Sequence, residues 1–373
     1  MKKILFITGT RADFGKLKPL MEQIEHSPDF ECYIFATGMH TLVRYGFTYT
    51  EIGKSGFTNI FLYFNQIVNN SSDMDIVLSN TIQGIGYYVR EFMPDMIVVH
   101  GDRLESMAGA IVGAFNNIRV AHIEGGELSG TIDEAIRHSI TKLSHLHFVS
   151  NDDARKRLIQ MGEHTDSIFI IGSPEVDIML SENLPSLSEV KQRYGIKFDE
   201  YAIFVYHSVT TELDQLKHNI EEVIIALKES GLNYIILHPN NDRGSNIILN
   251  TLKELKNNPY FIMFSSLRFE YYLTLLKHAL VIVGNSSSGV REAPVYGVPS
   301  VNIGSRQKNR HKYPSIINVK EDKNSILKAL HNFPLKIKPS LYFGNGNSSK
   351  KFIEILRNPT IWDISFQKYF IDL

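Results

Sequence analysis

The chain has 373 residues, of which 43% are hydrophobic and 21% are charged, and its formal net charge at pH 7 is −1. This balance provides no general attraction for nucleic acid or for an anionic membrane, so an anionic ligand would need a local cluster of cations. The single cysteine, Cys32, excludes an internal disulfide and is typical of a protein from the reducing cytoplasm. The length exceeds what one hydrophobic core usually supports and predicts two domains.

The first half of the chain alternates short apolar runs with longer segments of helical periodicity. The opening apolar run, Ile4 to Ile7, is too short for the core of a signal peptide and predicts a first strand instead. We expect strands near 3–8, 31–36, 96–100, 118–123, 146–150 and 168–171, and helices near 15–27, 73–92, 104–115, 132–144 and 151–162. Such alternation predicts βαβ units and a mostly parallel sheet. No apolar run in the sequence has the length of a membrane span.

After residue 172, prolines, serines and charges replace the strand pattern, and we interpret this region as a linker. The alternation then resumes, with strands predicted near 201–206, 233–238, 260–264, 280–283 and 299–303 and helices near 213–230, 268–278, 287–296 and 323–332. The simplest fold class is α/β, with two Rossmann-like, doubly wound domains and a cleft between them. The predicted domains are 1–178 and 179–356, and we expect an amphipathic tail, 357–373, to pack on the first domain.

The first predicted strand-to-helix turn contains Gly9, Arg11 and Lys16. Unpaired N–H groups at a helix N-terminus attract anions, and two nearby cations strengthen this attraction. The glycine spacing matches neither the GxGxxG fingerprint nor a Walker A loop. The turn therefore predicts an anion site, with an ordinary turn bearing solvated cations as the alternative.

Carboxylates follow two further predicted strands. Asp102 belongs to HGDR (100–103), and Glu124, Asp133 and Glu134 follow the next strand. General acid/base chemistry needs a proton acceptor and a proton donor held close together. Crowded carboxylates can also raise each other's pKa, so that one stays protonated near neutral pH. The alternative for Asp133 and Glu134 is that they only favour the dipole of the helix they begin.

The histidines of this region show no established ligand spacing, so we predict no metal site.

The sequence GNSSSG, which begins at Gly284, is the strongest local signal in the second half. Small residues allow several backbone N–H groups to point at one anion, and Ser286 and Ser287 add hydroxyl donors. We expect Glu292 one to two turns into the following helix, where a carboxylate can accept both hydroxyls of a ribose. Arg306 adds positive charge from the next strand end. Together these residues predict a site for a nucleoside diphosphate.

As an ordered set, the motifs resemble the hydrolysing UDP-N-acetylglucosamine 2-epimerases of bacterial sialic-acid and capsule synthesis. The matching sequences are GTRADFGK, HGDR, HIEGGELSGTIDE.IRH, GSPEVD, HSVTTE, PNND and GNSSSGVREAP.YGVP. The resemblance implies a GT-B-like fold, UDP bound mostly by the second domain, and a reaction without a metal or NAD. In that reaction UDP leaves C1 as the C2 proton is removed, which gives 2-acetamidoglucal. Water then adds to yield free N-acetylmannosamine.

The expected roles follow from the resemblance together with the residue chemistry. The residues expected to stabilise the leaving diphosphate are Arg11, Lys16, His207, Ser286 and Ser287. The residues expected to move protons are Asp102, Glu124 and Asp133. Glu134 is the alternative to Asp133, because non-hydrolysing members of the family have a glutamate at the start of this helix. Glu292 would hold the ribose and Arg306 the nucleotide, while Arg103 would contact the phosphates or a neighbouring carboxylate.

Four alternatives to this function remain at the level of sequence. They are a 2-epimerase of UDP-N,N′-diacetylbacillosamine for legionaminic acid, a non-hydrolysing epimerase, a GT-B glycosyltransferase and a non-catalytic nucleotide-sugar sensor. The forms HGDR and EGGELSG favour the hydrolysing branch, and GTRADFGK favours N-acetylglucosamine. The carboxylates at the strand ends count against a glycosyltransferase or a sensor. We expect a cytoplasmic homo-oligomer, a dimer or a tetramer, that binds a UDP-sugar.

Overall fold

The computed structural model describes residues 1–66, 74–129, 132–240, 242–335 and 337–372. Some predicted features lie outside these ranges, namely the first residue of a predicted helix, Asp73, the last residue of the predicted tail, Leu373, and the motif residues Gly130, Thr131 and Asn241. The chain forms two compact units. The first comprises Met1–Glu127, Asp133–Ser181 and Tyr342–Leu373, and the second comprises Leu128–Ile132 and Glu182–Leu341.

The secondary structure alternates strands and helices along both units. The strands are β1 (Lys2–Thr8), β2 (Phe30–Ala36), β3 (Ile60–Leu62), β4 (Met96–His100), β5 (Arg119–Ile123), β6 (Leu146–Val149), β7 (Ile168–Ile170), β8 (Ala202–Val205), β9 (Tyr234–Leu237), β10 (Phe261–Phe264), β11 (Ile282–Gly284), β12 (Ser300–Ile303) and β13 (Ile316–Val319). The α-helices are α1 (Arg11–Glu25), α2 (Tyr49–Lys54), α3 (Met74–Phe92), α4 (Leu104–Phe115), α5 (Ile132–Leu143), α6 (Asp152–Gln160), α7 (Pro174–Met179), α8 (Leu187–Tyr194), α9 (Leu213–Glu229), α10 (Ser245–Leu252), α11 (Phe269–Lys277), α12 (Glu292–Val295), α13 (Lys323–His331) and α14 (Ser348–Arg357).

The first unit is built on a parallel sheet in the order β3-β2-β1-β4-β5-β6-β7. Successive side chains of β1 point to opposite faces, as in any strand. Ile4 and Phe6 pack into one hydrophobic cluster, while Leu5 and Ile7 pack into another. Both faces of the sheet are therefore buried under helices, which explains why the strands appear in the sequence as continuous apolar runs.

The second unit contains a parallel sheet in the order β10-β9-β8-β11-β12-β13. Its six strands follow the same 3-2-1-4-5-6 pattern as the first six strands of the first unit. In such sheets, ligands bind beyond the carboxyl ends of the strands where the strand order reverses. These positions lie between β1 and β4 in the first unit, and between β8 and β11 in the second. The predicted class of two Rossmann-like, doubly wound domains is confirmed.

The prediction of a continuous helix over 287–296 is wrong. A 3₁₀ turn spans Ser287–Gly289, and the α-helix α12 covers only Glu292–Val295. Pro294 has no N–H to bond the carbonyl of Val290, and its ring would clash with that carbonyl in a longer helix. The backbone after GNSSSG is therefore a series of short turns.

The C-terminal segment lies in the first unit from Tyr342 onward. Phe352 and Leu356 on α14 are fully buried in the same cluster as Ile4 and Phe6 of β1. This division differs from the predicted one, which places residues up to 356 in the second domain. Beyond α14, the guanidinium of Arg119 donates to the backbone oxygen of Trp362. Within the described ranges, every helix is too short or too polar to cross a bilayer.

Candidate active site

The turn after β1 is fixed by side chains of the helix that follows it. Thr10 caps α1, and its hydroxyl oxygen accepts from the backbone N–H of Asp13 at 3.0 Å. The Asp13 carboxylate in turn accepts from the backbone N–H of Gly9 at 3.2 Å. This reciprocal arrangement satisfies N–H groups that a helix start otherwise leaves unpaired. It also directs the second oxygen of Asp13 towards β4.

A buried series of polar side chains crosses the carboxyl ends of β1, β4 and β5. Nδ1 of His100 lies 2.9 Å from Oδ1 of Asp13, and Nε2 of His100 lies 3.1 Å from Oε2 of Glu124. The hydroxyl of Ser173 donates to the other oxygen of Glu124. All four side chains are buried. The predicted residue Glu124 is thus held by donors on both of its carboxylate oxygens.

The protonation state of His100 differs from that of the neighbouring histidines. Burial alone would lower its pKa, but the carboxylates of Glu124 and Asp13 raise the pKa of His100 to about 9. For His122, burial lowers the pKa to about 3, and its Nε2 lies 2.8 Å from the backbone oxygen of Gly101. At neutral pH, these shifts favour a charged His100 and a neutral His122.

The backbone of Glu124 adopts φ 64°, a left-handed conformation that is unusual for a side chain of this size. Its N–H donates to the carbonyl of Phe148 at 2.8 Å, and its carbonyl accepts from the guanidinium of Arg137 at 2.6 Å. Residues held in such conformations concentrate at functional sites, because the surrounding structure must offset their strain. The backbone of Glu124 is therefore fixed in a strained conformation, as expected for a carboxylate at a functional site.

Arg137 links one of the two other predicted acid/base positions, Asp102, to Glu124. Its guanidinium binds the carboxylate of Asp102 as well as the Glu124 carbonyl. Asp133 precedes Arg137 by four residues on α5 and so lies on the same helix face. Glu134 pairs with His138, with 3.5 Å between the carboxylate and Nε2. The structure thus places a cation beside each of Asp102 and Glu124, where the sequence suggested carboxylates crowding one another.

The predicted cations of the first unit also have acidic neighbours. Lys16 forms an ion pair with the buried Glu175 at the start of α7. Arg11 lies 3.8 Å from the carboxylate of Glu51. The Nε of Arg103 lies 3.2 Å from Glu105. Arg103 is therefore paired with a neighbouring carboxylate, one of the two contacts that the sequence allowed.

In the second unit, the side chain of Asn285 joins the ends of the two strands where the order reverses. It accepts from the backbone N–H of His207 at 2.6 Å and donates to the His207 carbonyl at 2.8 Å. Nδ1 of His207 accepts from the backbone N–H of Asn240 at 3.1 Å. An accepting Nδ1 places the proton of a neutral ring on Nε2. His207 is thereby fixed in orientation and tautomer.

The remaining predicted residues of the second unit lie around Asn285. Ser286 caps the 3₁₀ turn by accepting from the Ser288 N–H at 3.3 Å, and Ser287 begins that turn. Glu292 is buried and is the first residue of α12, not a position one to two turns into a helix. One nitrogen of Arg306 lies 3.4 Å from the Asn285 carbonyl. The loop therefore brings two hydroxyls and a guanidinium to the end of β11.

The predicted site residues do not include Asp13, His100, Arg137, Ser173 or Glu175. Each lies within one of the quoted motifs, so the signal was present as motif membership. The motifs do not show which of these residues contact each other, because the contacts join parts of the chain that are distant in sequence. Within the described ranges, no three His, Cys, Asp or Glu side chains are grouped to hold a metal ion.

Comparison with known proteins identifies the family. A family model described as UDP-N-acetylglucosamine 2-epimerase matches residues 22–357. The chain belongs to this family. It is 49% identical over 378 residues to a protein of Neisseria meningitidis serogroup B named UDP-N-acetylglucosamine 2-epimerase, with 100% of both chains covered. The family membership predicted from the motifs is confirmed.

Two further family relatives bear on substrate and fold. The UDP-N,N′-diacetylbacillosamine 2-epimerase (hydrolyzing) of Legionella pneumophila is 34% identical over 362 residues, which cover 96% of each chain. The solved structure of Methanocaldococcus jannaschii UDP-GlcNAc 2-epimerase in complex with UDP-GlcNAc and UDP matches with a TM-score of 0.80. That match has 23% identity and covers 95% of this chain and 99% of the other. At that identity the likeness concerns the fold, and it agrees with a GT-B-like fold built from two parallel sheets.

Proposed function

We propose that the chain is a hydrolysing UDP-N-acetylglucosamine 2-epimerase that converts UDP-N-acetylglucosamine and water to N-acetylmannosamine and UDP. The observation that carries the proposal is the buried Glu124 carboxylate, held by His100 and Ser173 beyond the carboxyl ends of β4 and β5. Family membership and the 49% identical relative support the substrate. The motifs HGDR and EGGELSG support the hydrolysing branch. The product would supply sialic-acid synthesis for a capsule.

The proposed reaction has two balanced steps. First, the C1–O bond breaks, its electron pair leaves with UDP, and a carboxylate takes the C2 proton to form the C1–C2 double bond of 2-acetamidoglucal. Second, water adds across that bond, with hydroxyl bonding to C1 and a proton to the opposite face of C2. A C2 hydrogen beside no carbonyl is barely acidic, so the departure of UDP must accompany or precede its removal. The site must therefore stabilise the leaving diphosphate strongly.

The first unit supplies the proton-transfer groups in this proposal. Asp102, Glu124 and Asp133 move the protons, with Glu134 as the alternative to Asp133. Each such transfer contributes roughly 10²–10⁴-fold in rate. Arg11 and Lys16 add positive charge for the diphosphate, and Arg103, which is paired with Glu105, adds a third guanidinium or ammonium group on this side of the site. The clustering of Asp102 and Glu124 around Arg137 supports their assignment to one reaction.

The second unit supplies the nucleotide-binding groups. Ser286, Ser287 and backbone N–H groups of the GNSSSG loop bind the phosphates, and His207 stabilises them from the end of β8. Glu292 holds the ribose hydroxyls, and Arg306 supports the nucleotide. The short turns that replace the predicted helix still offer N–H groups, but a long helix dipole does not contribute. The two hydroxyls and the fixed His207 support this assignment.

The bacillosamine 2-epimerase is the second candidate, and the 34% identical relative favours it. The higher identity to the relative named for N-acetylglucosamine places it second. The proposed reaction uses no metal and no NAD. We further infer a cytoplasmic homo-oligomer, a dimer or a tetramer, and light scattering of the purified protein measures this state.

The test is incubation of the purified protein with UDP-N-acetylglucosamine and EDTA in D₂O, followed by NMR of the anomeric protons. We expect free N-acetylmannosamine, deuterated at C2, to appear together with UDP. A UDP-linked mannosamine at equilibrium would identify a non-hydrolysing epimerase instead. Turnover of only UDP-N,N′-diacetylbacillosamine would identify the second candidate. Binding of UDP without turnover of either sugar would identify a sensor.

A further inference from the structure

The contacts of His100 with Asp13 and Glu124 determine how many protons the imidazole ring must carry. Nδ1 of His100 lies 2.9 Å from a carboxylate oxygen of Asp13, and Nε2 lies 3.1 Å from one of Glu124. A neutral imidazole has one N–H, whereas an imidazolium has two. With both carboxylates ionised, only the imidazolium donates to each of them. The geometry therefore favours a cation between two anions.

We propose that Asp13 and His100 are positioning residues that hold Glu124 as an anion, so that Glu124 is the base that takes the C2 proton. This inference rests on the proposed function. It specifies that Glu124 removes a proton from C2 and does not deliver one. The proton that returns to C2 then comes from another group, and Asp102 and Asp133 are the other two predicted carriers. Asp13 and His100 act on the reaction only through Glu124.

The hydrogen bonds around Glu124 support its role as an anion. Its second oxygen accepts from the Ser173 hydroxyl, so both oxygens receive donors. Hydrogen bonds to the charged form of a carboxylate favour that form. An anion is suited to this step, because the departure of UDP leaves positive charge on the sugar ring and makes the C2 proton acidic. A weak but ionised base is then sufficient.

Other charged and titratable groups surround the series of Asp13, His100 and Glu124. The two neighbouring histidines are neutral, so His100 is the histidine that carries the positive charge. Burial lowers the pKa of His122 to about 3 and that of His40, beside Asp13, to about 4, so both are neutral. Arg137 bonds the Glu124 carbonyl and Asp102, and Arg11 and Arg103 lie on the Asp13 side. Among the described residues, the other charged or titratable groups around the series are Asp102, Glu105, His40, His122, Arg11, Arg103 and Arg137.

Asp13→Asn tests the proposal because it removes one carboxylate from His100 while keeping the size of the side chain. An opposite charge at this distance shifts a pKa by about one unit or more, so the pKa of His100 should fall by that amount in the variant. We expect the alkaline limb of log(kcat/KM), near pH 9 in the natural protein, to move to lower pH by the same amount. KM for the UDP-sugar should stay within about threefold, because in this proposal Asp13 acts only through His100 and Glu124.

The experiment combines kinetics with NMR of histidine labelled at Cε1, in the full chain and in Asp13→Asn. The His100→Asn variant assigns the resonance. Ser106→Ala is the matched control, since it removes the 2.7 Å bond to the His100 carbonyl and leaves the ring contacts unchanged. We expect His100 to titrate near pH 9 in the natural protein and lower in Asp13→Asn, with Ser106→Ala unshifted.

Two results would overturn the proposal. One is a neutral His100 below pH 8, which would mean that a carboxylic acid shares its proton with the ring. The other is a pH profile of Asp13→Asn that superimposes on that of the natural protein. The NMR titration needs no turnover, so it decides the charge of the series even if neither UDP-sugar reacts. Absence of turnover with an intact titration would contradict the proposed function instead.

Discussion

At the scale of single residues, Lys16 combines a structural contact with a proposed catalytic one. Its ammonium pairs with Glu175, whose side chain is 1% exposed. Removing one partner of a buried ion pair leaves an uncompensated charge, which costs about 3 kcal/mol, whereas replacing both partners is often nearly neutral. Loss of activity in a Lys16 variant therefore has two possible causes that must be separated.

The variant Lys16→Met and the double variant Lys16→Met/Glu175→Gln separate these causes. We expect the single variant to lose about 3 kcal/mol of unfolding free energy and the double variant to regain most of it. Both should keep kcat/KM at least tenfold below the natural protein, because neither supplies a cation to the diphosphate. Urea unfolding and steady-state kinetics measure the two effects. Recovery of activity together with stability would assign Lys16 a purely structural role.

At the scale of elements, Gly284 determines how β11 meets β8. Its φ is +127°, and a Cβ at this position would collide with the backbone of Val205. Gly284→Ala should therefore destabilise the second unit by about 3 kcal/mol, through strain and steric overlap together.

Gly231→Ala is the matched control, because its φ is +74° but a Cβ there meets nothing within 4 Å. The control should lose only about 1 kcal/mol. Equal losses in urea unfolding would show that crowding at β11 is unimportant.

The interior strands could be predicted because their burial on both faces makes them continuously apolar. The edge strands β3 and β13 were missed, since their residues are mostly half-exposed and lack such a run. The helix α7 was missed because Pro174, Glu175 and Asp177 resemble a linker when the first helical turn is not recognised. Propensity alone could not show that the apolar face of α14 belongs to the first unit.

The site was predictable as a set of strand ends but not as a set of contacts. Asp102, Glu124 and His207 each follow an apolar run, so their position at a sheet edge could be inferred. The bond from His100 to Asp13 spans 87 residues, and the bond from Ser173 to Glu124 spans 49. Such pairs depend on strand order and on where helices begin. No local pattern shows that an imidazolium, in place of a second carboxylate, accompanies Glu124.

At the scale of the whole molecule, the C-terminal tail is held by a buried ion network in the first unit. The ammonium of Lys368 lies 2.5 Å from Glu163 and 2.6 Å from the carbonyl of Ser144, just beyond α5. His147 contributes a 2.9 Å contact to the same carboxylate. Since α5 also carries Arg137, the tail stabilises the helix on which the proposed acid/base cluster depends.

This network predicts a specific pH dependence of stability. Burial alone would raise the pKa of Glu163, but His147, Lys368 and Lys142 lower it to about 2. A carboxyl group whose pKa is depressed on folding contributes stability above its unfolded pKa, and the contribution is lost as pH falls through the folded value. The stabilisation is therefore complete above pH 4.5 and disappears towards pH 2.

Lys368→Met should lower the unfolding free energy by about 3 kcal/mol at pH 7, because it leaves Glu163 with less compensation. The difference from the natural protein should shrink as pH falls from 4.5 towards 2, where protonated Glu163 no longer needs the ammonium.

Lys142→Met is the control, since Lys142 lies 2.7 Å from the same carboxylate but is 50% exposed. Its loss should stay below about 1 kcal/mol, as for solvent-exposed pairs. A pH-independent loss in Lys368→Met, measured by urea unfolding across this range, would mean that the tail is held by its apolar contacts and not by charge.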